Sequence, residues 1–298
     1  MRNPQFIVVG TARAGTTSLN SYLIQHPEIF LPIVKEPCFF TFAGEKIDYK
    51  KGKFAFAITS IDDYSKLYKN ALQSQITGDI STPYLYKFEK SIRNIKILHN
   101  NPDSIKIIIV LRNPVDRAYS QYLWRVRDGR ETLSFEEAIA AEQERMKENY
   151  SFDYFYVDRG MYYQQVKAYI ENFKFVKIIL LDDLKRNANK TLAELCEFLG
   201  VDREFVFVRR MEQNSSFMPK SALLSRLLTM ESKTKFKFLS RIPEFVKTTI
   251  KEQFMRINSS DKKNPEMKSE TRNSLKLLYK DDLLKLEKLI ARDLSSWM

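Results

Sequence analysis

Nine residues near the start of the chain, Gly10-Thr11-Ala12-Arg13-Ala14-Gly15-Thr16-Thr17-Ser18, have the types and spacing of an anion-binding turn. They lie between an apolar run and a helical pattern. At such a junction backbone N–H groups and the positive end of the helix dipole point at a ligand. Gly15 lets the backbone approach closely, and Thr16, Thr17 and Ser18 offer hydroxyl donors. The planar fork of Arg13 suits a sulfate or phosphate. A second group follows a later apolar run, with Arg112 at its carboxyl end and Ser120 two helical turns on, placed to face the same crevice. A third, Lys35-Glu36-Pro37-Cys38-Phe39-Phe40, sets a carboxylate beside apolar surface, which raises its pKa towards that of a useful base.

The elements that must position these groups follow from periodicity. Gln5–Gly10, Lys106–Leu111 and Val176–Leu181 read as short, nearly all apolar buried strands, and Lys106–Leu111, apolar on both faces, as an interior parallel one. Helices are predicted over Thr16–His26, from Pro114 to about Arg127 behind an Asn113 cap, from the Ser134–Glu137 capping box, and over Met161–Phe173. A second capping box, Thr191–Glu194, predicts a helix ending at Gly200, and two amphipathic helices are expected over 267–279 and 282–294. Strands alternating with helices give an α/β domain with a central parallel sheet flanked by helices, and no linker divides residues 1–298. The stretch around Glu212–Pro219 is the best candidate for a loop folding back over the site.

Composition narrows the class. Cys38 and Cys196 are the only cysteines and form no CxxC, which argues against a structural zinc site and a disulfide framework. His26 and His99 are the only histidines, so a His-rich metal site is not expected; each sits at a helix end, and neither is assigned as a base. No stretch approaches the roughly 20 apolar residues of a membrane span, and no signal peptide is recognised, so the expected location is the reducing cytoplasm. The net charge of +12 is spread along the chain, which leaves open a nucleic-acid binder, a peripheral membrane protein or an enzyme for polyanionic small molecules. A nucleotide kinase is another alternative, because Gly10 and Gly15 have the glycine spacing of a Walker A loop. Thr16, however, stands where that loop needs its Lys, and the cation has moved inside the turn to Arg13.

The segment TARAGTTSL resembles the 5′-phosphosulfate loop of sulfotransferases that use 3′-phosphoadenosine 5′-phosphosulfate (PAPS), the group that includes heparan sulfate and bacterial enzymes. Arg13 stands where most members carry Lys. KIIIVLRNPVDRAYSQY is similar to the family's 3′-phosphate motif, and KEPCFF to the segment that carries its base. The resemblance runs on through RGMYY, VKIILLDDL and FLGV to the closing helices, and it implies a P-loop NTPase-like sulfotransferase fold. It implies Glu36 as catalytic base, helped by Lys35 and Arg13 at the transferred sulfonate. It also implies a donor site of Arg13, Ala14, Gly15, Thr16, Thr17 and Ser18 with Arg112 and Ser120, and Lys220 as a further phosphate contact. PAPS is the implied sulfonate donor, the acceptor is a small molecule or saccharide, and the scheme requires no metal. Residues 208–237 match least, where relatives cover the nucleotide and select acceptors. GDISTPYL looks like another family segment; heparan enzymes carry lysine where Ile80 stands, which points away from a heparan-like polysaccharide. Asp79 in that segment is open to two readings, orienting Lys35 or the acceptor, or holding a strand end. Arg117 is read as the partner of a neighbouring carboxylate, and Phe39, Phe40, Tyr84, Tyr86 and Trp124 as a supply of rings for stacking on an acceptor.

Overall fold

A computed structural model describes residues 3–52, 54, 56–208 and 265–298. Five parallel strands form one sheet: β1 (Phe6–Gly10), β2 (Ile29–Phe30), β3 (Ile76–Ile80), β4 (Lys106–Leu111) and β5 (Phe175–Leu180), in the order β2-β3-β1-β4-β5. The central strands are apolar on both faces because both faces are covered. Along β4, Ile107, Ile109 and Leu111 pack into one core layer with Tyr162, Val166 and Leu283. Ile108 and Val110 pack into the other, with Leu19, Leu192 and Leu195. This alternation is the two-residue period of a strand carried into two cores.

The order of strands fixes where a ligand can sit. β1 lies between β3 and β4, so the chain leaves it towards one side of the sheet and returns on the other. Open α/β sheets bind ligands outside the carboxyl ends of strands at such a switch. The loop after β1 and the loop after β4 are joined there: Thr11 N–H donates to the Val110 carbonyl at 2.6 Å, and Arg112 Nη1 donates to the Arg13 carbonyl at 3.0 Å.

Three helix expectations change. The first helix ends at Leu23, not His26. His26 turns inward instead: its Nδ1 accepts from Glu28 N–H and its Nε2 faces the Asp202 carbonyl at 2.9 Å, so both ring nitrogens are occupied. The Thr191 box does not start a helix. Asn187 accepts from Lys190 N–H and caps a helix running Ala188–Leu199, with Thr191 inside it donating back to the Asn187 carbonyl. The two C-terminal helices are one, Ser269–Ile290, which buries Leu275, Tyr279, Leu283 and Leu286 on one stripe. By contrast the helix Pro114–Arg127, its Asn113 cap and the reciprocal Ser134–Glu137 box stand as read. Cys38 and Cys196 are separate buried thiols. Among the described residues no helix is long and apolar enough to cross a membrane, and no group of His, Cys, Asp and Glu is arranged to hold a metal ion.

Candidate active site

A cleft of about 1100 Å³ opens at the carboxyl ends of β1, β3 and β4. Arg13, Gly15, Thr16, Thr17, Ser18, Lys35, Glu36, Arg112 and Ser120 all line it, so the fold brings together segments more than 100 residues apart in sequence. Ala14 lies beneath the loop, fully buried. Lys220 and the Glu212–Pro219 loop lie outside the described residues.

The turn after β1 depends on its glycines. Gly10 has φ +141, and a side chain there would stand 2.9 Å from the Thr82 carbonyl oxygen; Gly15 has φ +87, with Leu181 only 2.7 Å from where a Cβ would be. Both positions therefore disfavour other residues by conformation, and at Gly10 the clash with backbone excludes them by space as well. Gly15 is the N-cap of the helix Thr16–Leu23, and no side chain caps that helix. Its first-turn N–H groups are left for a ligand or solvent.

Cations surround the turn. Arg13 Nε donates to Ser120 Oγ at 3.1 Å, and its guanidinium lies 6.0 Å from the Trp124 ring centroid. Burial, then repulsion from Arg127 and Arg112, lowers its pKa to about 10 against the opposing pull of Asp128. Arg112 is lowered by burial as well, although Asp116 counters this. Lys35 Nζ donates to Thr17 Oγ1 at 2.6 Å and lies 3.7 Å from Glu36; burial lowers its pKa too, with Glu36 opposing. Three cations held partly out of water around uncapped amides make a site whose charge is relieved by an anion.

Glu36 faces these cations from a loop with unusual backbone. Glu36 and Cys38 have φ of 56 and 55, on either side of Pro37. Left-handed backbone at such residues costs about 1–3 kcal/mol each and persists only where the surroundings impose it. Here four contacts do so. Ile58 N–H donates to the Pro37 carbonyl at 2.9 Å, and Cys38 N–H to Ser81 Oγ at 3.1 Å. Cys38 Sγ donates to the Glu36 carbonyl, and Thr82 Oγ1 donates to Glu36 Oε2 at 3.0 Å. With 27% of its side chain open to the cleft and the rest enclosed, Glu36 has its pKa raised by burial; Lys35 and Thr82 act against the rise.

Asp79 contacts neither Lys35 nor the cleft, which leaves its structural reading. It is fully buried and accepts hydroxyl hydrogen bonds from Tyr64 and Tyr84 at 2.7 Å each and from Ser81 at 2.8 Å. Burial raises its pKa to about 6 against those three donors. Because Ser81 also receives Cys38 N–H, Asp79 holds the Glu36 loop at one remove.

Arg117 is another correction. It is wholly buried and donates to the Tyr156 carbonyl, with no carboxylate bridge among the described residues. Phe39, Phe40 and Tyr84 are core rings, Phe39 stacking on Tyr64 at 4.2 Å, and Tyr86 donates to Asp158. Of the five rings considered for the acceptor, Trp124 alone lines the cleft. Sequence reasoning missed Phe54, Phe56, Arg130 and Asp153, which line it from segments without a motif, and Gln121, which follows Ser120 within the second motif. His99 has its pKa lowered by burial to about 4 and does not line the cleft.

Comparison with known proteins agrees with this geometry. The family model described as a sulfotransferase domain matches residues 3–289. The crystal structure of a sulfotransferase from Alicyclobacillus acidocaldarius superposes with a TM-score of 0.75 at 31% identity, covering 100% of this chain and 99% of that one. Among curated proteins, the bifunctional heparan sulfate N-deacetylase/N-sulfotransferase 1 of Homo sapiens is 25% identical over 100% of this chain and 31% of its own length. The heparan sulfate glucosamine 3-O-sulfotransferase 6 of Homo sapiens is 33% identical over 41% of this chain and 30% of its own. The chain thus spans about a third or less of the curated relatives it matches.

Proposed function

The chain belongs to the sulfotransferase family, and on that footing we propose that it moves a sulfonate group from PAPS to a hydroxyl or amine of a small-molecule or saccharide acceptor, with Glu36 as general base. The observation that carries this reading is the cleft itself, in which three cations and an uncapped helix start face the Glu36 carboxyl group, whose pKa burial raises.

The residues present fit a nucleotide bearing phosphate at both ends of its ribose. The turn from Arg13 to Ser18 receives the 5′-phosphosulfate on backbone amides and hydroxyls, and Arg112 with Ser120 receives the 3′-phosphate. Glu36 takes the proton from the acceptor as its oxygen or nitrogen attacks sulfur. The new bond to sulfur forms while the sulfur–oxygen bond to the 5′-phosphate breaks, and the electron pair leaves on that phosphate as 3′-phosphoadenosine 5′-phosphate (PAP). Arg13 and Lys35 stand where negative charge grows, already in place before the step. Lys35 is bound to both Thr17 and Glu36, so it links the donor loop to the base.

The test is transfer of ³⁵S from labelled PAPS to an acceptor panel in EDTA, with release of PAP followed in parallel. Label appearing in an acceptor together with stoichiometric PAP supports the reading. PAP release with label only in inorganic sulfate under every condition contradicts it.

A further inference from the structure

Beyond Glu36, the cleft has a second carboxylate that the mechanism does not use. Asp153 lines the cleft with 19% of its side chain exposed. Behind it stand two guanidiniums at or near zero exposure. Arg125 Nη2 lies 2.6 Å from Asp153 Oδ2, off the axis of its N–H bonds, and Arg159 Nη1 donates to Asp153 Oδ1 at 3.1 Å. Arg125 is fixed in turn between the rings of Trp124 and Tyr154, 5.0 and 4.7 Å from their centroids. Asp153 also shares a field with the base: its charge is among the causes that raise the Glu36 pKa.

Gln121 completes the wall. It lines the cleft at 1% exposure, its Nε2 donates to the Asp153 carbonyl at 3.3 Å, and its Oε1 has no hydrogen-bond partner among the described residues. A buried amide oxygen left without a donor is rare, because desolvating it costs about 1–3 kcal/mol. Arg130 lines the same wall and forms no carboxylate bridge among the described residues.

Resting on the sulfotransferase reading, we propose that Asp153 and Gln121 form an acceptor subsite that receives hydroxyl groups next to the one being sulfated, so that the acceptor is a polyol and is sulfated on oxygen. Asp153 and Gln121 Oε1 present acceptor atoms only, so they call for donors on the ligand. The surrounding charge says which donors. Lys35, Arg125, Arg130 and Arg159 outnumber Glu36 and Asp153 here, and an ammonium entering that field is disfavoured where a neutral hydroxyl is not. The proton count agrees. A hydroxyl acceptor gives up one proton, which Glu36 accepts while the oxygen–sulfur bond forms and PAP departs. An ammonium would have to shed a further proton first.

The test measures kcat/KM with PAPS for 4-nitrophenyl β-D-glucoside, its free-amine 2-amino-2-deoxy analogue and 4-nitrophenol, alongside PAP affinity. The wild type is expected to favour the glucoside over the amino sugar, and to label it on oxygen. Asp153→Asn is expected to lower the glucoside-to-nitrophenol ratio about tenfold or more, chiefly through KM, as when a site built for a hydroxyl loses its partner. Since that substitution leaves Arg125 and Arg159 uncompensated, Gln121→Met provides the variant that keeps the ion pairs; it should lower the same ratio about threefold to tenfold. Preferred labelling of the amine overturns the proposal, as does an unchanged ratio in Gln121→Met with PAP affinity intact. A wild type that binds PAP yet sulfates neither sugar also overturns it, and leaves the donor site standing. Failure to bind PAP at all would instead count against the sulfotransferase reading on which the subsite rests.

Discussion

The two sides of the cleft are built differently. The donor side is made of strand ends: β1 runs straight into Gly10–Gly15 and β4 into Arg112, and the sheet's own register sets the distance between them. The acceptor side is made of irregular chain. Glu36 sits on left-handed backbone pinned by Ser81, Thr82 and Ile58, and Asp153 lies within a single 3-10 turn, Phe152–Tyr154, held by buried arginines. On the proposed reading, binding of the nucleotide would rest on the sheet, whereas turnover would rest on side chains that hold one another. Substitutions should therefore separate the two.

The largest separation is expected at Glu36. Glu36→Gln should lower kcat by about 10²–10⁴-fold, the usual worth of general-base help, while PAP affinity stays within about threefold. Loss of affinity with turnover retained would erase the contrast between the two sides. Arg112→Ala should behave in the opposite sense. It removes a charged fork at the β4 end, so PAP should bind about 10–150-fold more weakly, with AMP affected far less because it lacks the 3′-phosphate.

Thr82→Val sharpens the comparison through pH. As the proposed base Glu36 would have to be ionised to accept a proton, so kcat should fall as the solution is acidified through its pKa, which burial places above the ordinary 4.5. The Thr82 hydrogen bond lowers that pKa. Its removal should move the acid limb of the kcat profile to higher pH and leave PAP affinity unchanged; an unmoved limb would separate Thr82 from the base.

The smallest effect is on stability. Because the folded-state pKa of Glu36 is raised, its protonated form is favoured by folding: that advantage is fully present below 4.5 and is lost as pH rises through the folded value. At neutral pH the ionised carboxylate then weighs against the fold. Glu36→Gln should raise Tm in ligand-free protein near neutrality and leave it nearly unchanged at about pH 4, as thermal scans at the two pH values would show.

How much of this was legible in the sequence follows from the same contrast. The donor side could be read because its residues are contiguous with strands whose apolar runs are unmistakable; β4 begins and ends at the residues the pattern gives. The capped helices with a single clear signal were legible for the same reason. Where two signals competed, position in the fold decided. Thr191 had its partner Glu194, but Thr191 is itself buried within the helix, and Asn187, one turn earlier, accepts Lys190 N–H and took the cap. The C-terminal stripe continues through Asp281 and Asp282, because Asp282 is used up in accepting Tyr162 and Tyr163 N–H groups and breaks nothing. Glu36 was legible as a carboxylate beside apolar residues, but its left-handed backbone was not, since the contacts that enforce it come from Ser81 and Thr82, more than 40 residues away. Asp153 and Arg130 carry no local signal, and Gln121, although it follows Ser120 in the second motif, is singled out only by surroundings that the folded chain supplies.

On the proposed reading the cleft takes a nucleotide phosphorylated at both 3′ and 5′ positions without a metal, and the decisive experiment is calorimetric titration with PAP in EDTA, beside AMP and ATP with Mg²⁺. Tight binding of PAP that depends on the 3′-phosphate and weakens in Arg112→Ala is the predicted result. A preference for ATP with Mg²⁺, or no nucleotide binding by a folded sample, would contradict the claim.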